Sequence, residues 1–258
     1  MPELPDVEGF RRVLLEGRGR RVESVAVIDR DLLRNASPQG LGRALRGKRL
    51  GEARRHGKWL ACPIDGACVL MHFGMTGLLE WADQGSELHR HDRVVFAFDR
   101  RELRYRNMRK FGGVWLARDG REYREATGPL GPDAQELGRE EFDELVHRRR
   151  GEIKAALMDQ RLLAGVGNLL SDEILWRARI NPRARASSLT ARRRGALWQA
   201  LRSSLRESIP AGRVPHGPKW LTRVRDERAP ACPRCGSRLR KGTVAGRTAC
   251  WCPSCQRR

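Results

Sequence analysis

The chain opens Met1-Pro2-Glu3-Leu4-Pro5-Asp6-Val7-Glu8, so loss of the initiator methionine would turn Pro2 into a free secondary amine. An α-amino group titrates near pH ~8, against ~10.4 for a lysine, so a useful fraction is unprotonated and nucleophilic at neutral pH. Attack by such an amine on a sugar C1′ gives an iminium, a positively charged Schiff base. The adjacent Glu3 carboxylate stands where it can shuttle protons at the reacting sugar. A lone Met-Pro-Glu start fits better with methionine removal followed by an ordinary helix, so the rest of the chain has to decide.

A second chemical constellation lies at the other end. Five of the seven cysteines fall between Cys232 and Cys255. The pairs Cys232-x2-Cys235 and Cys252-x2-Cys255, sixteen residues apart, form a four-thiolate zinc pattern in which each pair supplies two corners of a tetrahedron. Cys250 could replace Cys252, but two matched x2 pairs favour Cys252. A module of about thirty residues buries too little surface to fold without such a centre, which makes one structural zinc ion the expectation. Arg238, Arg240, Lys241 and Arg247 lie between the knuckles and give the module a basic tip. Cys62 and Cys68 stand apart in an apolar region and read as small buried hydrophobes. An odd cysteine count without an export signal argues against a secreted disulfide scaffold.

Composition sets the class of partner. With 52 Lys+Arg against 31 Asp+Glu, the formal charge is +21 over 258 residues, which points to a polyanion. Arginine carries most of the excess and suits phosphate recognition, although a GC-rich genome also enriches it. No apolar run approaches the ~18–20 residues that span a bilayer, and the acidic, proline-containing start does not resemble a targeting peptide. A cytoplasmic, nucleoid-associated monomer is expected.

The elements that must position these groups change character along the chain. Val7, Phe10, Val13 and Leu14 recur at helical spacing within 5–17. From 22 to about 117 short β-type runs follow, at Val22–Ile28, Trp59–Ile64, Ala67–Phe73, Arg93–Phe98 and Gly113–Ala117, as in an antiparallel sandwich or barrel. Gly128-Pro129-Leu130-Gly131-Pro132-Asp133 reads as a hinge. Helices are expected over about 139–149, 152–159, 168–178 and 190–209. Gly165-Val166-Gly167-Asn168 leads into the third; on its own it reads first as an ordinary helix–turn–helix packing corner, and alternatively as a turn whose backbone amides could face a phosphate. Residues 210–228 read as a flexible loop. The expected division is 1–128, 129–228 and 229–258.

Six segments in this order are similar to one family: MPELPDVEG at the start, HGKWL at 56–60, HFGMTG at 72–77, NMRKFGG at 107–113, MDQRLLAGVGN at 158–168, and the cysteine module. The chain resembles the formamidopyrimidine-DNA glycosylase/endonuclease VIII family of bifunctional repair enzymes over nearly its whole length. The resemblance implies an α+β enzyme: an N-terminal antiparallel β-sandwich flanked by helices, then a helix–two-turn–helix domain with a zinc ribbon, and damaged duplex DNA in the cleft between them. It also implies base excision followed by β- and δ-elimination, with no redox cofactor or catalytic metal.

Carried over residue by residue, the resemblance makes Pro2 the Schiff-base nucleophile and Glu3 the proton donor and acceptor. Lys58 becomes a proton donor in strand cleavage, and Arg247 the arginine that grips phosphate beside the lesion and serves the second elimination. Met75, Arg109 and Phe111 match the side chains that fill the gap left by an extruded nucleotide, and their chemistry suits it: two apolar wedges and a guanidinium that can stack. His91 and Arg149 occupy phosphate-contact positions, and Lys110, Lys154 and Asn168 are further backbone contacts.

Some features depart from a single branch of the family. Asp6 stands where the purine-specific branch carries glutamate, and 210–228 is short and lacks a glycine- and tyrosine-rich recognition loop. HGPKW and WCPSCQ look closer to endonuclease VIII, whereas Met75, Arg109 and Phe111 look like the formamidopyrimidine branch. The expected lesions are therefore ring-opened purines, oxidised pyrimidines or further-oxidised guanines, with 8-oxoguanine a weak substrate. The rival reading is a non-catalytic, structure-specific DNA-binding protein of the same fold, against which Pro2, Glu3 and Lys58 together argue.

Overall fold

Alternation of apolar and polar side chains builds the first half of the molecule. In the computed structural model, which describes residues 2–257, Leu60, Cys62 and Ile64 of one strand point into a core that Val69 and Met71 of the next share. That core belongs to the first of two compact units, Asp6–Pro129; the second runs from Leu130 onward and includes Glu3–Pro5.

The first unit contains helix α1 (Leu4–Leu15) from Asp6 on, α2 (Pro38–Leu45), α3 (Gly120–Thr127) and eight strands: β1 (Ser24–Val27), β2 (Arg54–His56), β3 (Trp59–Ile64), β4 (Ala67–His72), β5 (Gly77–Asp83), β6 (Asp92–Phe98), β7 (Arg101–Asn107) and β8 (Gly113–Ala117). They form two antiparallel sheets, ordered β1-β6-β7-β5 and β2-β3-β4-β8. Leu79, Val94, Phe96, Phe98, Leu103 and Tyr105 from one sheet meet Leu60, Ile64, Met71, Val114 and Leu116 from the other. This is the expected sandwich. On the opposite face of the second sheet, Ala61, Leu70 and Ala117 pack with Tyr123 and Ala126 of α3.

Strands β2, β5 and β7 and helices α2 and α3 were not anticipated. In β7 the reason is charge: Leu103 and Tyr105 face the core, while the intervening arginines find carboxylates. Arg104 is buried and pairs with Glu102 at 2.8 Å, and Arg106 bonds Asp92 at 2.8 Å and Glu80 at 2.5 Å. An Arg-rich run therefore lies in a sheet because its charges are matched along the strand and across to its neighbours. Cys62 is buried and Cys68 partly so, and burial pushes their thiols up to about 12 and about 11.

The second unit packs α4 (Arg139–His147), α5 (Ile153–Met158), α6 (Asn168–Arg177) and α7 (Ala191–Ala211) around Leu157, Leu163, Leu170, Ile174, Leu197 and Leu201. Strands β9 (Arg240–Val244) and β10 (Arg247–Trp251) make an antiparallel hairpin. A smaller cluster joins Trp176 of α6 to Leu221, Leu239, Cys232, Cys250 and Cys252. The expected flexible loop at 210–228 is corrected. Helix α7 runs through Pro210 and ends on left-handed Gly212, and Trp220, Leu221, Thr222 and Arg225 are buried. The sparse apolar residues of that segment are the ones that pack, which periodicity cannot reveal. No helix among the described residues is long and apolar enough to cross a membrane.

Candidate catalytic site and nucleic-acid interface

Helix α6 begins with backbone amides that have no partner within the helix, and a carboxylate takes them. Glu3, fully buried, accepts from the N–H of Gly167 at 2.8 Å, Leu169 at 2.7 Å and Leu170 at 3.1 Å. An anion at a helix N-terminus satisfies orphan donors and the positive end of the dipole together. The approach is so close that a Cβ on Gly167 would lie 2.4 Å from Cδ of Glu3. Gly165, at φ +110°, accepts from the N–H of Leu4 at 3.0 Å. Gln160 braces the turn: its amide donates to the carbonyls of Met158 and Val166, both at 2.8 Å, and its oxygen accepts from Gly165 at 3.0 Å. The segment MDQRLLAGVGN thus receives residues 3 and 4, a role its glycines did not announce. Pro2, half-buried, precedes the clamped carboxylate, and Met1 lies outside the described residues.

In the first unit, Lys58 follows Gly57 (φ +57°) in the β2–β3 turn and is half-buried. Trp59 packs on His72 with ring centroids 5.0 Å apart. Burial, assisted by the Lys58 charge, pulls the His72 imidazole down to about 4.

Met75, Arg109 and Phe111 sit on two neighbouring loops, β4–β5 and β7–β8. Close approach of these loops explains two glycines: a Cβ on Gly74 would fall 2.6 Å from the Gly112 nitrogen, and one on Gly112 would fall 2.0 Å from the His72 carbonyl. Buried Asn107 ties the loops together. Its amide donates to the Phe73 carbonyl at 3.2 Å and the Tyr105 hydroxyl at 3.0 Å, and its oxygen accepts from the Lys110 N–H at 2.9 Å. Thr76 accepts from the Arg109 N–H at 3.0 Å. On this frame Phe111 is 61% exposed, with the Arg109 guanidinium 5.1 Å from its ring, and Met75 is half-buried. Met108, 51% exposed, adds apolar surface that sequence reasoning passed over, as it did Asn107 and Thr76, although all three lie within the quoted motifs. An aromatic ring held in water by a rigid frame marks a surface made for a partner.

The remaining basic positions differ. His91 is half-buried beside Arg93, whose guanidinium approaches its ring nitrogen at 3.1 Å. Lys110, at φ +56°, pairs with Asp29 at 2.6 Å and Asp31 at 3.4 Å, so its charge is partly engaged within the protein. Exposed Arg149 pairs with Asp159 at 3.2 Å. Asn168 opens α6, and its buried side-chain oxygen has no hydrogen-bond partner. Arg247 is exposed and follows the tight Ala245-Gly246 turn (φ +47° and +71°) at the hairpin tip. Lys154 overturns its expected role as a backbone contact: it has no exposed surface, and its ammonium binds Asp172 and the Thr248 carbonyl, the latter at 3.1 Å. A side chain enclosed in this way has no surface to offer a phosphate.

The four thiols of Cys232, Cys235, Cys252 and Cys255 converge, all within 4.8 Å of one another. Tetrahedral zinc–thiolate bonds of about 2.3 Å place sulfurs about 3.8 Å apart. Cys235 lies 3.5 Å from Cys252 and 3.4 Å from Cys255, so the set fits a single tetrahedral metal ion. The Trp176 indole N–H points at the Cys232 sulfur at 3.3 Å, and the Cys255 N–H at the Cys252 sulfur at 3.4 Å, as donors to thiolates would. Cys250 is outside the cluster: its neighbours on β10 turn it inward, and burial pushes its thiol up to about 11.

A β-sandwich with an exposed apolar wedge, and a helical unit that ends in a four-cysteine hairpin, define a DNA-glycosylase class of fold. Residues 1–114 match the model of the formamidopyrimidine-DNA glycosylase N-terminal domain, and residues 129–216 that of its H2TH domain. The formamidopyrimidine-DNA glycosylase of Pelotomaculum thermopropionicum is 33% identical over 276 residues, covering all of this chain and 99% of that protein. That of Bacillus cereus strain ATCC 10987 is 33% identical, with both chains fully covered. Among solved structures, Lactococcus lactis Fpg in complex with DNA containing N7-benzyl-Fapy-dG superposes with a TM-score of 0.89 at 28% identity, with both chains fully covered. The same enzyme bound non-covalently to DNA with an abasic site gives 0.89 at 29% identity, covering 99% of this chain and 100% of that one. This chain belongs to the formamidopyrimidine-DNA glycosylase family.

Proposed function

We propose that this enzyme excises oxidised bases from duplex DNA and then cleaves the resulting site as an AP lyase, with Pro2 as nucleophile once Met1 is removed. The observation that carries the reading is the Glu3 clamp: a buried carboxylate, one residue from that amine, held by the amides of Gly167 and of two residues in the first turn of α6. The Pro2 nitrogen bonds C1′ while the glycosidic C–N bond breaks and the departing base takes a proton. Glu3 moves protons at the sugar as the ring opens to the iminium. Loss of the C2′ proton then expels the 3′ phosphate, and a second elimination expels the 5′ phosphate, with Lys58 donating a proton and Arg247 holding a phosphate. Met75, Arg109 and Phe111 occupy the space of the extruded nucleotide. His91, Arg149, Lys110 and Asn168 contact the backbone. One zinc ion in the Cys232, Cys235, Cys252 and Cys255 set supplies no chemistry to these steps; it folds the hairpin that carries Arg247.

Borohydride trapping on an abasic duplex tests the reading, since it captures the iminium directly. The processed protein should give a stable covalent adduct, Pro2→Gly should lose most of it, and a form retaining Met1 should lose all of it, because an amide nitrogen is not nucleophilic. Equal trapping with Met1 retained would refute the mechanism. The short 210–228 segment offers few groups to close over an extruded base, so ring-opened purines opposite cytosine should be excised faster than 8-oxoguanine. Single-turnover rates on duplexes differing only in the lesion decide that point.

A further inference from the structure

Lys154 and Asp172, both without appreciable solvent exposure, are joined by Arg225, which is 6% exposed. One Asp172 oxygen accepts from Lys154. The other accepts from Arg225 at 2.7 Å and from the Cys250 N–H at 3.2 Å. Both cations also donate to one carbonyl, that of Thr248, Lys154 at 3.1 Å and Arg225 at 3.4 Å. Thr248 and Cys250 lie on β10, and Thr248 is bonded to Arg247. The knot therefore grips the strand that carries the exposed arginine finger at two points, on the same edge of the hairpin.

Its other end is α6. Leu169 and Leu170 hold Glu3, and Asp172 follows two residues later on the same helix, about 3 Å further along its axis. The Glu3 carboxylate also acts electrostatically on Lys154. Burying three charges is costly, and the Nε of Arg225 is left buried without a partner. Such ionic clusters add little stability over apolar packing, and their best-attested contribution is to select one geometry.

We propose that Asp172 is a positioning residue: through Lys154, Arg225 and the Cys250 amide it fixes β10 to the first turns of α6, so that one helix sets the places of both Glu3 and Arg247. The proposal rests on the functional reading for the meaning of Arg247 but not for the coupling itself.

The test uses full-length, zinc-loaded Asp172→Asn, which keeps the side chain's size and removes its charge. Hydrogen exchange without DNA should show the amides of 247–250 exchanging at least tenfold faster, with α7 amides and zinc content unchanged. Wild-type protection across 247–250 would overturn the coupling. If Asp172→Asn fails to fold, Arg225→Met removes one arm of the knot and should raise exchange in the same segment about threefold; an unchanged segment counts against the proposal equally. On an abasic-analogue duplex, Asp172→Asn should weaken binding several-fold, and this loss should disappear in an Arg247→Ala background. Losses that add independently would show that Asp172 does not act through the finger. If Arg247→Ala alone leaves binding untouched, the assigned role of Arg247 fails, while the exchange result still decides the coupling.

Discussion

The loops that present Met75, Arg109 and Phe111 and the turn that receives Glu3 are built on opposite plans. In the first unit the groups expected to meet DNA are exposed, and the order lies beneath them: Asn107, Thr76 and two glycines fix a frame from which an aromatic ring projects into water. In the second unit the Glu3 carboxylate is itself enclosed, and main-chain amides donate to it. A wedge must leave the protein and enter another molecule, so its cost is paid in exposed apolar surface. Under the proposed function Glu3 shuttles protons and needs a constant orientation, which burial and hydrogen bonds to both oxygens supply.

The contrast breaks first at Glu3. Glu3→Gln should lower base excision at least ~100-fold, the usual scale of a general acid–base group, with a smaller effect on cleavage of a preformed abasic site. Gly167→Ala should do nearly as much without touching a catalytic atom, because the new methyl would occupy the carboxylate's place. Single-turnover assays on the two substrates distinguish these outcomes. Equal losses on both substrates would mean that Glu3 does not serve base departure.

Loss of metal should come next. Chelation, or Cys235→Ser, removes a corner of the thiolate set, so the hairpin should lose its fold and duplex binding should fall below detection while the sandwich remains folded. Metal analysis should give about one zinc per chain in the wild type, and full binding by metal-free protein would contradict the assignment.

Phe111→Ala sharpens the comparison from the exposed side. Its ring is mostly in water, so stability should change by no more than ~0.5 kcal/mol in urea unfolding. Affinity for a lesion duplex should fall about tenfold, equivalent to about 1.4 kcal/mol. A large stability loss with unchanged affinity would turn the wedge into a structural residue.

A further test concerns pH. His72 titrates near 4 in the folded protein against 6.5 unperturbed, so between those values the unfolded chain binds the extra proton. The stability associated with its neutral, buried form is complete above pH 6.5 and declines as pH falls toward 4. At pH 5 this one group should cost about 2 kcal/mol relative to pH 7. The pH 7-to-5 difference in unfolding free energy should be smaller by that amount in His72→Gln, and an identical difference would show that the imidazole is not held neutral.

Much of this protein was legible in its residues because the signals are local. The strands Trp59–Ile64 and Gly113–Ala117 have the bounds that alternation gives, and the helices over 139–147 and 168–177 lie within the ranges expected from periodicity. The preference for Cys252 over Cys250 followed from two equal spacings, and the thiols converge that way because a two-residue knuckle places both sulfurs on one side. Strand β7 escaped because its Arg106 is neutralised by Glu80 and Asp92 on neighbouring strands, which composition cannot show.

The residue types at Pro2, Glu3, the wedge and the four cysteines were determined by the sequence alone, and types bound chemistry. Only the tertiary structure decided what surrounds them. Glu3 meets Gly167, 164 positions away, and Lys154 turns inward to Asp172 and Thr248 rather than outward to a phosphate. Both outcomes follow from one cause: a buried charge needs partners, and those partners are supplied by folding from segments whose distance along the chain carries no trace of their contact.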